Sequence, residues 1–161
     1  MSKAINSMFR WYQRAEICFV YLSDVEAGTS SGLNAVELDE TICESRYFTR
    51  GWTLQEILAP PKVYFYSRDN QRLGSKKTLK SLIHRATNIP IGALEGAPLT
   101  KYSIKKRLSW IEKRETHEPE DIAYCMLGLF DINMTLIYGE GRENALRRLE
   151  EEVRKRENGR T

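Results

Sequence analysis

The sequence contains few cysteines and histidines, which excludes two classes of small protein. It has 161 residues, of which three are cysteine and two are histidine. Cys18, Cys43 and Cys125 are odd in number and far apart, which favours reduced thiols over a disulfide framework. His84 and His117 have no neighbours at the spacing of zinc ligands. We therefore expect a cytoplasmic protein with no metal site and no cofactor of its own.

Long apolar runs and an N-terminal signal are also lacking. Residues 17–22 form an uncharged apolar run, far shorter than the roughly 18 residues that a membrane-spanning helix needs. Residues 1–6 lack the apolar stretch of a secretory signal. The apolar share of 41% and the charged share of 29% are typical of a folded protein, and the length fits one domain.

Charge is distributed unevenly along the chain. Lysine and arginine are absent between Arg14 and Arg46, where the acidic residues are Glu16, Asp24, Glu26, Glu37, Asp39, Glu40 and Glu44. A basic run follows later, with Lys101, Lys105, Lys106, Arg107, Lys113 and Arg114. Because the net charge is only +3 and no RNA-binding phrase is present, we interpret the basic run as a solvated helix face. We expect no specific nucleic acid partner.

Hydrophobic patterning predicts two buried strands and one long loop. Short apolar runs rich in β-forming residues predict strands over 17–22 and 62–67. Residues 24–44 carry turn residues and many acids without periodicity, which predicts an exposed loop. No strand is predicted beyond residue 90. Strands alternating with helices indicate an α/β protein.

Helical periodicity occupies most of the remaining sequence and dominates the second half. The predicted helices cover residues 3–14, 49–59, 76–87, part of 101–114 and 142–156. The helix over 49–59 begins at Thr49 and ends before Pro60. A further helix is predicted to begin at residues 116–121 and to continue through Leu129. Residues 157–161 are polar, and we expect them to form a frayed tail.

Four phrases along the chain form one ordered pattern. Residues 50–56 read Arg-Gly-Trp-Thr-Leu-Gln-Glu, and the other phrases are Ala-Ile-Asn-Ser-Met-Phe-Arg-Trp-Tyr at 4–12, Glu-Asp-Ile-Ala-Tyr-Cys-Met-Leu-Gly at 120–128 and Tyr-Gly-Glu-Gly at 138–141. Together they resemble the fungal heterokaryon incompatibility (HET) domain. The resemblance implies that residues 1–156 are the C-terminal two-thirds of that module, without the two strands with which the family normally begins.

HET domains in turn resemble TIR domains, some of which cleave NAD. This resemblance implies a TIR-like, flavodoxin-like parallel sheet flanked by helices, incomplete at the N-terminus and mostly helical in its C-terminal half. It assigns the catalytic glutamate to Glu56 and the neighbouring aromatic residue to Trp52. Arg46 and Arg50 are then candidates to bind the pyrophosphate of NAD as substrate.

One carboxylate can suffice for this chemistry. Nicotinamide leaves the ribose as a neutral group, whereas ordinary glycosidases need a second carboxyl group to protonate a poor leaving oxygen. Glu56 would stabilise the developing positive charge or hold the ribose hydroxyls. The alternative from the residues alone is that Trp52 belongs to the core and that Glu56 pairs with Arg50 or Arg46.

The resemblance implies a role in fungal vegetative incompatibility, in which self/non-self recognition leads to programmed cell death, with NAD hydrolysis as candidate chemistry. The alternatives are a non-enzymatic module that associates with itself or with other signalling domains, and an inactive truncated relic. The Tyr138–Gly141 phrase suits either a phosphate-binding turn or a plain tight turn, and we favour the tight turn because no strand precedes it.

Overall fold

A sheet of three strands lies at the centre of the protein, of which a computed structural model describes residues 2–160 apart from the side chains of residues 2 and 30. The strands are β1 (Cys18–Leu22), β2 (Val63–Ser67) and β3 (Arg72–Ser75), and they are ordered β1-β2-β3. β1 and β2 are parallel, with Cys18 opposite Val63. The two predicted strands are thus confirmed to within one residue.

The third strand corrects the expectation of a parallel sheet. β3 runs antiparallel to β2, with an irregular register between Phe65 and Tyr66, so the sheet is mixed. The sequence of β3 is Arg-Leu-Gly-Ser, which carries no apolar run and therefore no strand signal. The strand forms because the chain turns back after β2, with Asn70 in the left-handed region at φ 60°.

The two faces of the sheet differ in burial. Side chains alternate along each strand, so Val20, Leu22, Val63 and Phe65 point into the core and are buried. On the opposite face, Phe19 is 66% exposed and Tyr21 is 55% exposed. β1 is also one of the two edge strands of the sheet. Among the described residues, helices therefore cover one face of the sheet and leave an aromatic face and an edge open to solvent.

The helices confirm that the C-terminal half is mainly helical. The α-helices are α1 (Ser2–Arg14), α2 (Ala35–Cys43), α3 (Thr53–Leu58), α4 (Lys80–Thr87), α5 (Ile91–Leu94), α6 (Ile104–Ser109), α7 (Asp121–Tyr124), α8 (Leu127–Phe130) and α9 (Arg142–Asn158). Short 3₁₀ helices lie at Thr29–Ser31, Arg46–Thr49 and Leu99–Lys101.

The predicted loop over 24–44 is wrong at its C-terminal end, where α2 forms. The helix begins with a capping box: the Asn34 side chain accepts from the Glu37 backbone N–H, and the Glu37 carboxylate accepts from the Asn34 backbone N–H, each at 2.9 Å. This reciprocal cap satisfies two backbone donors that would otherwise be unpaired. Ile42 then packs into the core, which gives the helix its tertiary support.

Four predicted helices differ in extent from the helices of the structure. α3 begins at Thr53 and not at Thr49, and α4 begins at Lys80 and not at 76. The helix expected to continue through Leu129 is two short helices, α7 and α8. α9 ends at Asn158, so it includes the first two residues of the expected tail; Thr161 lies outside the described residues.

The basic run over 101–114 is only partly a solvated face. Arg107 and Arg114 are buried, whereas Lys101, Lys105 and Lys113 are exposed. The Arg107 guanidinium donates to the Leu129 carbonyl at 3.3 Å and to Glu157 at 3.0 Å, and it lies over the Phe130 ring. The prediction of a solvated face is wrong for Arg107, because its planar guanidinium can bind several acceptors at once inside the protein.

Candidate functional site

The Arg50–Glu56 phrase is docked against the segment that follows α6. The Gly51 backbone N–H donates to the Glu115 carbonyl at 2.9 Å, and the Glu115 N–H donates to the Thr49 carbonyl at 2.7 Å. A Cβ on Gly51 would lie 2.5 Å from the Thr116 methyl and 3.3 Å from the Cys125 sulfur. Glycine is therefore required here by close packing, and this pairing delays the start of α3.

The middle of the phrase is tied to the core by polar contacts. Arg114, 3% exposed, donates to the Arg50 carbonyl at 2.8 Å and to the Thr53 hydroxyl at 2.9 Å. Gln55 donates to the Cys125 carbonyl at 2.9 Å. Burial lowers the pKa of Arg114 to about 10. These contacts give Thr53 and Gln55 a role in architecture.

Glu56 is half-buried beneath α1. Its carboxylate accepts a hydrogen bond from the Tyr12 hydroxyl at 3.3 Å. The Tyr47 hydroxyl faces the same carboxylate without forming a hydrogen bond of ordinary geometry. Burial raises the pKa of Glu56, and the two tyrosines, Arg50 and Arg114 oppose that shift only in part. The described residues show no ion pair between Glu56 and either Arg46 or Arg50.

Trp52 faces a separate open groove. Its indole N–H donates to the Asp121 carboxylate at 3.2 Å. The groove has a volume of about 560 Å³ and is lined by Ile5, Met8, Trp52, Glu118, Asp121 and Tyr138. We refer to these six residues as the Trp52 groove. Glu56 does not line it, although Trp52, at the N-cap of α3, and Glu56, within α3, both lie next to α1.

Arg46 and Arg50 line a different hollow, next to the C-terminal end of β1. Its volume is about 320 Å³, and it is lined by residues 21–24, 46, 47, 49 and 50. The Asp24 carboxylate accepts from the Arg46 backbone N–H and the Ser45 hydroxyl, both at 2.7 Å. Although burial opposes it, these hydrogen bonds lower the pKa of Asp24. The four predicted site residues are therefore distributed between two hollows and the space under α1.

Asp121 and Tyr138 were not among the site residues predicted from the sequence. The Tyr138 hydroxyl donates to the second Asp121 oxygen at 2.7 Å, so tyrosine and tryptophan hold the carboxylate from two sides. Each of the four sequence phrases supplies part of the groove: Ile5 and Met8 from the first, Trp52 from the second, and then Asp121 and Tyr138. The four phrases were therefore the sequence signal that could have identified this groove.

The Tyr138–Gly141 phrase is a tight turn, as we predicted. The Glu120 carboxylate accepts from the Gly139 N–H at 2.7 Å and from the Gly141 N–H at 2.9 Å. Both hydrogen bonds lower the pKa of Glu120, and the one from Gly141 has the larger effect. Both backbone donors that a phosphate would need are thereby occupied.

Within residues 2–160, no cluster of His, Cys, Asp or Glu is arranged to bind a metal ion. None of the helices in that range is long and apolar enough to cross a membrane. Cys18, Cys43 and Cys125 are free, and burial raises the pKa of Cys125 to about 12.

The chain is similar to a known fungal protein. The chain is 44% identical over 155 residues to the vegetative incompatibility protein HET-E-1 of Podospora anserina. The match covers 96% of this chain but 11% of HET-E-1, so the chain spans a small part of that protein's length. No protein-family model matches the chain, and no solved structure matches it. The chain is thus related to a segment of a fungal vegetative incompatibility protein.

Replacing Glu56 and Glu120 by glutamine is expected to change stability with opposite dependence on pH. The pKa of Glu56 is raised by burial above 4.5, so its ionisation lowers the free energy of unfolding as pH rises past 4.5. Glu56→Gln should therefore gain stability relative to wild type between pH 4 and pH 7.

Glu120→Gln provides the comparison, because the pKa of Glu120 is lowered by the Gly141 and Gly139 N–H groups. In the wild type, the ionised Glu120 side chain stabilises the fold above pH 4.5, and this contribution is lost as pH falls through the lowered pKa. Urea unfolding at pH 4, 5.5 and 7 measures both variants. For Glu120→Gln, the loss in free energy of unfolding relative to wild type should grow with pH. If Glu56→Gln showed the same trend, the described burial of Glu56 would be wrong.

Proposed function

We propose that this chain is a HET-type module of fungal vegetative incompatibility, in which self/non-self recognition leads to programmed cell death. The observation that carries the proposal is the 44% identity to HET-E-1 over 96% of the chain. The four ordered phrases support it, because all of them contribute to one groove. The free cysteines support a cytoplasmic location.

The geometry favours signalling by self-association. The edge of β1 is unpaired in the described residues, and one sheet face presents Phe19, Tyr21, Tyr64 and Tyr66. The Phe19 ring lies 6.2 Å from the Tyr64 ring and 6.0 Å from the Tyr66 ring, so the aromatic residues form one continuous patch. An open edge next to an exposed apolar face is a surface on which a second chain can pair.

Phe19→Lys is expected to reduce self-association without unfolding the protein, since Phe19 is 66% exposed. The measurement is the light-scattering mass of wild type and variant across concentration and salt. Val36→Lys is the matched control, because Val36 is 71% exposed and belongs to α2 and not to the sheet.

Inducible expression of the same variants in a fungal host tests the biological role. Wild type and Val36→Lys should kill cells, and Phe19→Lys should not. A monomeric wild type at every concentration, or equal killing by Phe19→Lys, would refute association through this face.

A second candidate function is NAD cleavage with Glu56 as the catalytic carboxylate. The environment of Glu56 favours it: the side chain is half-buried, burial raises its pKa, and it forms no ion pair within the described residues. Groups held at a cost to stability are common at functional sites. Arg50 is near enough to influence that carboxylate electrostatically.

The fold gives this candidate further support. β1 and β2 are parallel and are joined by a long connection that contains α2 and α3, which suits a TIR-like sheet. Ligands of such sheets bind beside the carboxyl ends of the strands. The hollow of Arg46 and Arg50 lies at that end of β1 and suits a pyrophosphate, but Glu56 does not line it.

If Glu56 is catalytic, Glu56→Gln should reduce nicotinamide release from NAD at least about 100-fold, as expected for the loss of an electrostatically stabilising group. Chromatography of the products measures the release. Glu112→Gln, which removes an exposed acid outside the site, should leave the rate unchanged. Equal turnover by wild type and Glu56→Gln, or no turnover by wild type, would exclude this candidate.

A further inference from the structure

The Trp52 groove combines an apolar floor with two carboxylates. Ile5 and Met8 come from α1, and the aromatic rings of Trp52 and Tyr138 stand on either side of Asp121. The groove is open to solvent and large enough, at about 560 Å³, for a long side chain and part of a backbone. Its residues therefore offer both apolar contact and negative charge.

The negative charge of the groove is not neutralised by a cation. None of the six lining residues is lysine, arginine or histidine. Asp121 accepts hydrogen bonds from neutral donors, Trp52 and Tyr138, and forms no ion pair with the described residues. The basic group that pairs with Glu118 is the exposed side chain of His117, at 3.8 Å. The charge is thus available to a ligand.

Asp121 and Glu118 also act electrostatically on Tyr138. Its pKa is raised above its ordinary value, first by burial and then by Asp121, with a smaller contribution from Glu118. Both carboxylates therefore act on the same ring. Aromatic rings beside carboxylates are the surroundings that stabilise a desolvated organic cation, because the ring face and the carboxylate both attract positive charge.

We propose that the Trp52 groove binds a basic polypeptide segment of a partner protein, with an arginine or lysine head beside Asp121 and Glu118 and its aliphatic stem against Ile5 and Met8. The stem of a basic side chain packs readily on apolar surface while its charged head stays near water. Charge complementarity selects this occupant over a neutral apolar segment, because a neutral segment would cover two carboxylates without compensating them.

Two matched peptides test the proposal. One is a short acetylated and amidated peptide with a single arginine between two leucines, and the other carries neutral citrulline in place of the arginine. Binding is followed by NMR through the indole N–H signals of Trp11, Trp52 and Trp110. Trp110 is buried and Trp11 does not line the groove, so both serve as internal references.

The arginine peptide should shift the Trp52 signal, and the citrulline peptide should bind about fivefold more weakly or worse. Glu118→Gln should weaken the arginine peptide and leave the fold intact, because the Glu118 side chain is half-exposed and its ion pair is with the exposed His117. Glu112→Gln, which lies outside the groove, should leave binding unchanged.

Three results would overturn the proposal. Equal binding of the two peptides would identify an apolar groove without selectivity for charge. A shift of Trp11 in place of Trp52 would place the binding elsewhere. No shift of Trp52 by either peptide at millimolar concentration would show that the groove is not a docking site for a basic segment.

Discussion

The pairing of the Gly51 loop with Glu115 is the constraint on which the rest of the structure depends. Two backbone hydrogen bonds join residues 49–51 to Glu115, and Arg114 closes the contact by donating to the Arg50 carbonyl and the Thr53 hydroxyl. The contact joins the sheet half of the chain to the helical half. It also sets where α3 begins, and therefore where Trp52 and Glu56 point.

This constraint separates two roles within one sequence phrase. Gly51, Thr53 and Gln55 are used by the scaffold, since each is held against residues 114–125. Trp52, at the N-cap of α3, and Glu56, within α3, both lie next to α1, where Trp52 borders the groove and Glu56 lies under Tyr12. A motif can thus be retained mainly for architecture while two of its side chains remain available for function.

The sequence predicted the features that depend on local patterning. β1 and β2 were predictable because apolar residues alternate or run together in them, and α9 because its apolar positions recur at helical spacing. The start of α2 was also readable, since Asn34 and Glu37 form a capping box, but the many acids around it obscured the helical signal. β3 was not predictable, because its few polar residues become a strand only through pairing with β2. The delayed start of α3 depends on the distant Glu115, and the convergence of the four phrases on one groove depends on tertiary packing.

Hydrogen exchange tests the central contact most directly. The Gly51 and Glu115 amide protons should be strongly protected in the wild-type protein, because their hydrogen bonds join segments far apart in the chain. In Arg114→Met, which leaves the Arg50 carbonyl without its buried cationic donor, the protection of both amides should fall together. Rapid exchange of both amides in the wild type, or full protection in Arg114→Met, would contradict the account.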